Sequence, residues 1–374
     1  MHPPVSANPS PALRQTALAK RLSNPPRCLK LADLPTPIER AAWLDVGETE
    51  VWIKRDDLSS TIYGGGKVRK LEWALANPPY DDDAPIFSTG GIGSNHLVAL
   101  ALFLQPLGRR LHALVFDQPY TEHVRNNLAT VASLDAEFWY VPARWQLPWM
   151  WAKHALGRSG SRAMTPGAST DLAGFGFVEA GLELAAQVEA GVLERPATVY
   201  ITGGTGGASA GLAVGLALAG LATHLRIVSA VEPLLFNRFY LIAKLRATWS
   251  ALRRHGLEGP SSVGAALRDA NVTWSIDHSQ VGARYGAPTD AGAKVAALAE
   301  ANGLHFDPTY TAKCVAGMRA QPRPGPAVFW HTHAATDLTP RISPDWMSRL
   351  PEKLRARVAE LDRAAELPAL SGHA

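Results

Sequence analysis

Ile53-Lys-Arg-Asp-Asp-Leu-Ser-Ser-Thr-Ile-Tyr-Gly-Gly-Gly-Lys67-Val-Arg-Lys-Leu-Glu72 sets a lysine directly behind three glycines. Glycines let backbone crowd close to a ligand. A lysine at the start of the helix that follows can form an imine with an aldehyde cofactor. Taken alone, such a lysine is more often a solvated helix-start residue than a functional one. Working outward, 51–53 reads as a short apolar strand, and 70–76 continues the Lys67 helix. Leu34-Pro-Thr-Pro37 disfavours helix and sets an extended entry. On the other side, Asn77-Pro-Pro-Tyr-Asp-Asp-Asp83 is a turn-rich acidic break, where a domain crossing is expected.

The remaining chain alternates. Strands are predicted at 85–88, 111–116 and 136–141, with helices at 95–104 and 120–133 between them. A second block has helix 177–190, strand 198–201, helix 209–221, strand 226–231, helices 236–255 and 290–302, strand 327–330 and a charged helical tail at 351–365. Such alternation predicts an α/β fold, parallel sheets flanked by helices. Residues 142–170 are rich in Trp, Pro and Gly and resist assignment, and the Trp-rich segment 139–151 could cover a site or pack a subunit interface.

At 374 residues, with 47% hydrophobic and 19% charged residues, the chain can bury two substantial cores. A formal charge of +4, scattered along the chain, points away from nucleic acid. No apolar run is long enough to span a membrane. Cys28 and Cys314 stand far apart, which suits a reducing, cytoplasmic compartment. Residues 1–32 lack acidic side chains, a feature of transit peptides. Without a secretory apolar core, the segment reads as a frayed extension ending in a short basic helix.

Two glycine loops carry further signal. Gly203-Gly-Thr-Gly-Gly207 follows a strand and opens a helix, so its N–H groups and the helix dipole can hold a phosphate. No Lys-Ser/Thr pair or partner acid makes it a nucleotide loop. Thr89-Gly-Gly-Ile-Gly-Ser-Asn-His96 has the same form. There Ser94 can cap the helix, or the helix end can hold a carboxylate. One lysine and two anion cradles suit a small ligand set bearing both groups. His331 and His333 sit two apart on a predicted strand, but no third ligand at a recognisable spacing accompanies them, so no metal is expected. Cys314 reads as a small buried residue.

These motifs, in order, resemble the fold-type-II pyridoxal-phosphate enzymes (tryptophan synthase β-like), in the group of 1-aminocyclopropane-1-carboxylate deaminase and D-cysteine desulfhydrase. The resemblance runs from about Leu34 to about Thr332, and includes Tyr285-Gly-Ala-Pro288 and Asp307-Pro-Thr-Tyr-Thr-Ala-Lys313. It implies that Lys67 bonds pyridoxal 5'-phosphate and later moves the Cα proton. By the same resemblance Thr205, Gly206, Gly207 and Ala208 hold the phosphate, and Ser94, Asn95 and His96 the substrate carboxylate. Asn95 also lies near the ring hydroxyl, and Tyr285 and Tyr310 match active-site tyrosines. The implied organisation is an extension over 1–32, a large cofactor domain over 33–82 and 182–340, an inserted α/β domain over 83–181, and a helical tail over 341–374. A homodimer acting on a small amino acid is implied as well.

Position 311 bears on the reaction. The resemblance implies a glutamate there in the deaminase, with leucine at the position of Thr332, and hydroxyl residues at both in desulfhydrase-like members. This chain has Thr311 and Thr332. A hydroxyl cannot protonate the ring as an acid would, so a weaker electron sink and a β-elimination on D-cysteine or a related β-substituted amino acid are expected. The alternatives are the deaminase itself and a pseudoenzyme that binds the cofactor without turnover. Four departures bear on them: Gly66 for asparagine, Leu97-Val-Ala for polar residues, Ala208 for threonine, and His331-Thr-His333-Ala for His-Thr-Gly-Gly.

Overall fold

A computed structural model describes residues 12–155, 160–168, 170–283, 286–334 and 336–365. Along the chain come β1 (Ile38–Arg40), β2 (Thr49–Lys54), α1 (Gly66–Ala74), β3 (Ile86–Gly91), α2 (Asn95–Leu104), β4 (Leu111–Phe116) and α3 (Glu122–Ser133). Next are β5 (Glu137–Val141), α4 (Leu147–Ala155), β6 (Arg162–Ala163), α5 (Phe175–Glu189), β7 (Thr198–Gly203), α6 (Gly207–Leu218) and β8 (Thr223–Ser229). The rest are α7 (Arg238–Arg254), α8 (Val263–Asp269), β9 (Val272–Asp277), α9 (Asp290–Glu300), α10 (Thr311–Ala320), β10 (Gly325–Trp330) and α11 (Glu352–Ala364).

The chain divides into two compact units. The larger, Leu13–Ala74 with Ser169–Ala335, is built on a six-stranded sheet of order β1-β2-β10-β7-β8-β9. Only β1 runs antiparallel. Side chains alternate across a strand, and here both faces are buried. Val199, Ile201, Leu225, Ile227, Val328 and Trp330 enter one core with α5 and α6. Tyr200, Val228, Ala327 and Phe329 enter the other with α10. Apolar runs without polar alternation are what a sheet covered on both faces requires.

The smaller unit, Leu75–Ala168 with the chain from Thr336, has a four-stranded parallel sheet of order β5-β4-β3-β6. Phe87, Leu114 and Val141 form its core cluster, against which Trp139, Met150 and Trp151 pack. The Trp-rich segment thus takes in the end of β5 and the start of α4, with Trp145 and Trp149 left exposed. The α11 tail belongs to this unit, with Arg357 paired to Asp117.

Residues 13–32 are not frayed. Leu18, Leu22, Cys28 and Leu31 are buried, and Glu179 accepts from the N–H groups of Ala17 and Leu18. The expected basic helix is a single 3-10 turn, Ala19–Arg21. Apolar spacing of the Leu-x-x-x-Leu kind was the sequence signal for docking. Among the described residues no helix is long and apolar enough to cross a membrane.

Candidate functional site

Strands β2, β10 and β7 are parallel neighbours, so the loops leaving their carboxyl ends emerge together. Those loops carry Gly64 to Lys67, His331 to Ala334, and Gly203 to Gly207. The crevice beyond the carboxyl ends of parallel strands is where open α/β sheets bind ligands.

Two of the three glycines before Lys67 are required by the protein's own backbone, and the third by a packed side chain. A Cβ at Gly64 would lie 1.8 Å from the Asp57 carbonyl oxygen, and one at Gly65 2.7 Å from that of Thr332. Gly65 also has φ +87°, a region that favours glycine. The Gly66 N–H donates to the Thr332 carbonyl at 3.0 Å, and a Cβ there would meet Phe177 Cζ at 2.8 Å. Phe177 therefore fills the place that an asparagine side chain would need. Arg69, two residues beyond Lys67, is buried and ion-paired to Asp56 and Glu183; Trp330 Nε1 also donates to Asp56. This network fixes α1 against β2, β10 and α5.

Lys67 keeps partial exposure. Burial pushes its ammonium below the ordinary lysine range, and the Asp307 carboxylate partly opposes that shift. A reachable amine that gives up its proton more readily than an ordinary lysine is a better nucleophile for aldehydes.

Asp307 stands before α10. Its carboxylate accepts from the N–H groups of Thr309, Tyr310 and Thr311, and from Thr311 Oγ1 at 2.7 Å. Burial raises its pKa, but His333 and these donors outweigh burial and hold it ionised. Thr311 is fully buried and Tyr310 partly exposed. The Tyr310 carbonyl accepts from Thr202 Oγ1, and its ring lies 3.7 Å from a Cβ built at Gly204.

At the start of α6 the N-cap is Gly206, with φ +69° and no side-chain cap bond. Helix-end N–H groups are therefore left for another acceptor. Thr205 is exposed, Gly207 and Ala208 partly so. One residue beyond Ala208, the hydroxyl of Ser209 is buried with no hydrogen-bond partner among the described residues.

In the smaller unit Ser94 occupies the N-cap of α2, yet its hydroxyl makes no cap bond. Asn127 of α3 donates to the Gly93 carbonyl at 2.9 Å and to Asn95 Oδ1 at 2.7 Å, and His123 lies 3.1 Å from the same oxygen. His96 is buried, its Nε2 3.0 Å from Ser88 Oγ.

Lys67, Thr205 to Ala208, Tyr310, Thr311 and Thr332 thus belong to the larger unit, and Ser94, Asn95 and His96 to the smaller. Tyr285 lies outside the described residues. His331 and His333 follow β10, which ends at Trp330, so they do not share a strand face as expected; the glycine-dependent approach of 332–334 to Gly65 turns the chain first. No cluster of metal-ligating side chains occurs among the described residues. Sequence reading missed Lys70, a second buried lysine whose ammonium is pushed down by burial, then by Lys67 and Lys244. Its spacing of three from Lys67 on one helix was the available signal.

Comparison with known proteins gives the same direction. Residues 29–332 match the family model described as pyridoxal-phosphate dependent enzyme. D-cysteine desulfhydrases of Salmonella paratyphi B and Salmonella enteritidis are each 30% identical over 327 residues, covering 83% of this chain and 94% of theirs. A solved structure called an ACC deaminase homologue has a TM-score of 0.68 at 21% identity, covering 89% of this chain and 98% of that one. A fungal L-serine ammonia-lyase from Rhizomucor miehei has a TM-score of 0.54 at 17% identity, covering 90% and 99%. The chain belongs to the fold-type-II pyridoxal-phosphate dependent enzymes, in the family of 1-aminocyclopropane-1-carboxylate deaminase and D-cysteine desulfhydrase.

Proposed function

We propose that this protein is a lyase that converts D-cysteine, or a related β-substituted amino acid, to a keto acid, ammonia and the β-leaving group. For D-cysteine, one water is consumed and pyruvate, ammonia and hydrogen sulfide are released. Pyridoxal phosphate, when bound, supplies an electron sink for the charge left as the Cα proton departs.

The residues present fit that cofactor. Lys67 offers a partly exposed amine of depressed basicity. The uncapped start of α6 and the unpartnered Ser209 hydroxyl offer donors for a phosphate, where Ala208 has lost one. In this reading Lys67 would hold the cofactor, and its amine would take the Cα proton of the substrate. Thr205, Gly206, Gly207 and Ala208 hold the phosphate, Thr311 and Thr332 flank the ring, and Asn95 holds its hydroxyl. Ser94, Asn95 and His96 take the substrate carboxylate, while Tyr285 and Tyr310 stand by the reacting atoms.

One observation carries the choice of β-elimination. The Thr311 proton is committed to Asp307, and Asp307 is held ionised, so this pair presents no acid to the ring. Such a site suits loss of an activated Cα proton better than opening a cyclopropane that has none. Purified protein offered a panel of D- and L-amino acids should release keto acid and sulfide from D-cysteine. Release of 2-oxobutanoate from 1-aminocyclopropane-1-carboxylate would make it the deaminase; bound cofactor without any keto acid would make it a pseudoenzyme.

We also infer a homodimer. Leu234, at 89% exposure, Leu235 and Phe239, at 83%, form an apolar surface next to Phe236 and Tyr240, which flank Gly206. Large exposed apolar groups so clustered mark an interface, here for a second copy of the chain. Phe239→Glu should shift the protein from dimer to monomer in analytical ultracentrifugation; a parent that sediments as a monomer sinks this assignment. Buried free thiols at Cys28 and Cys314 suit a reducing, cytoplasmic setting.

A further inference from the structure

The loop from Gly91 to Asn95 lies directly on the start of α3. A Cβ at Gly93 would stand 2.5 Å from the Val124 Cα, and one at Gly91 1.8 Å from Gln118 Oε1. This close approach brings Asn95 against His123 and Asn127, which lie one turn apart and so share a face of α3. Thr121 caps that helix by accepting from the Val124 N–H, which sets where its first turn begins.

The contacts in this cluster assign its hydrogens. A backbone carbonyl can only accept, so the Asn127 atom 2.9 Å from the Gly93 oxygen is the NH2 group. The second hydrogen of that group goes to the Asn95 side-chain atom at 2.7 Å, which must therefore be the oxygen. With both Asn127 hydrogens committed, its 3.2 Å contact with His123 Nε2 is not a third donation. His123 Nε2 lies 3.1 Å from the Asn95 oxygen, so Nε2 carries a hydrogen and donates it there. This holds for the neutral and the charged ring alike, since both can carry hydrogen on Nε2. Two donors then occupy the two lone pairs of Asn95 Oδ1. Toward a ligand the Asn95 amide acts through its NH2, as a donor only.

We propose that His123 is a positioning residue that, with Asn127, holds Asn95 as a donor for a carboxylate oxygen of the substrate. This deepens the lyase reading and rests on its placing of the substrate carboxylate at Ser94 to His96. An amide lacking these two partners turns over and presents its oxygen part of the time, and that oxygen repels a carboxylate. His123 is exposed, so it adds little to the core. Its loss therefore reads out the orientation of Asn95.

The test is the dissociation constant of D-alanine from the holoprotein, read from the absorbance of the bound cofactor. D-Alanine has the carboxylate but no β-leaving group, so binding is measured without elimination. His123→Ala should raise the constant about fivefold, the worth of one hydrogen bond. His123→Gln, whose amide nitrogen reproduces the Nε2 donor, should bring it back to within about twofold of the parent. In an Asn95→Ala background His123→Ala should be silent, because there is no amide left to orient. A parental constant for His123→Ala, a His123→Gln protein no better than His123→Ala, or the same loss in both backgrounds overturns the proposal. A role confined to packing would lower the urea midpoint and carry its loss into the Asn95→Ala background. A holoprotein that ignores D-alanine overturns the proposal together with the carboxylate assignment. Release of keto acid from the amino-acid panel is a separate measurement, so failure of the lyase reading is seen there and not here.

Discussion

At the scale of a residue, Lys67 and Gly66 carry separate demands. Lys67→Ala should abolish the absorbance of the lysine-bound cofactor and the release of keto acid; an unchanged spectrum would place the bond on another residue. Gly66 was legible in the sequence only as a departure from asparagine. The structure supplies the reason, because Phe177 Cζ occupies the space 2.8 Å from where a Cβ would stand. Gly66→Asn should cost about 1–3 kcal/mol by overpacking, and Phe177→Leu in the same chain should return part of it. Urea unfolding of the two variants checks this, and an unperturbed Gly66→Asn protein would mean that Phe177 moves freely. The glycines were read as making room for a ligand. They make room first for carbonyls of Asp57 and Thr332, a tertiary fact that no local pattern carries.

At the scale of an element, helix α2 and strand β4 have the boundaries that apolar runs in the sequence predict. The run before α10 was quoted as a motif, but α10 itself was not predicted. Its N-cap residue, Tyr310, makes no side-chain cap bond; the capping carboxylate comes from Asp307, three residues earlier, so no short-range signature marks the start. Strand β9 and helix α8 escaped because Val-Thr-Trp-Ser-Ile-Asp is polar in alternate places, at the sheet edge, and α8 is only seven residues long. In the smaller unit, Asn127 shows how one element serves another: from α3 it ties both the Gly93 carbonyl and Asn95. Asn127→Ala should raise KM for the amino acid about tenfold, the effect of losing about 1–2 kcal/mol of hydrogen bonding, with kcat changed less. Thr121→Ala, which removes the α3 cap to Val124, should cost about 1 kcal/mol of stability and leave KM alone. Equal effects of the two on KM would deny Asn127 its special place.

At the scale of the whole molecule, the larger unit is built to stay neutral or paired where it is driest. Glu183, between Arg69 and Lys54, must overcome its own desolvation, yet its pairing holds it at about 2. Its contribution is therefore complete above the unfolded carboxylate value and is lost as pH falls from about 4.5 to 2. His331 works in an earlier window. Packed against Phe306 and Phe329, with neither ring nitrogen bonded among the described residues, it is held neutral down to about 3. The unfolded chain binds that proton from about 6.5, so stability falls as pH drops below it, a loss of about 2 kcal/mol by pH 5. His224, pushed down to about 4 chiefly by burial, adds to the same window. An apolar ring of similar shape removes the His331 part without leaving a polar atom stranded. His331→Phe should consequently roughly halve the fall in urea midpoint between pH 7 and pH 5, while the steeper loss below pH 4.5, set by Glu183, persists. Parallel curves for parent and variant would mean that His331 finds a proton acceptor in the folded protein, and that acid sensitivity above pH 5 arises at His224 instead.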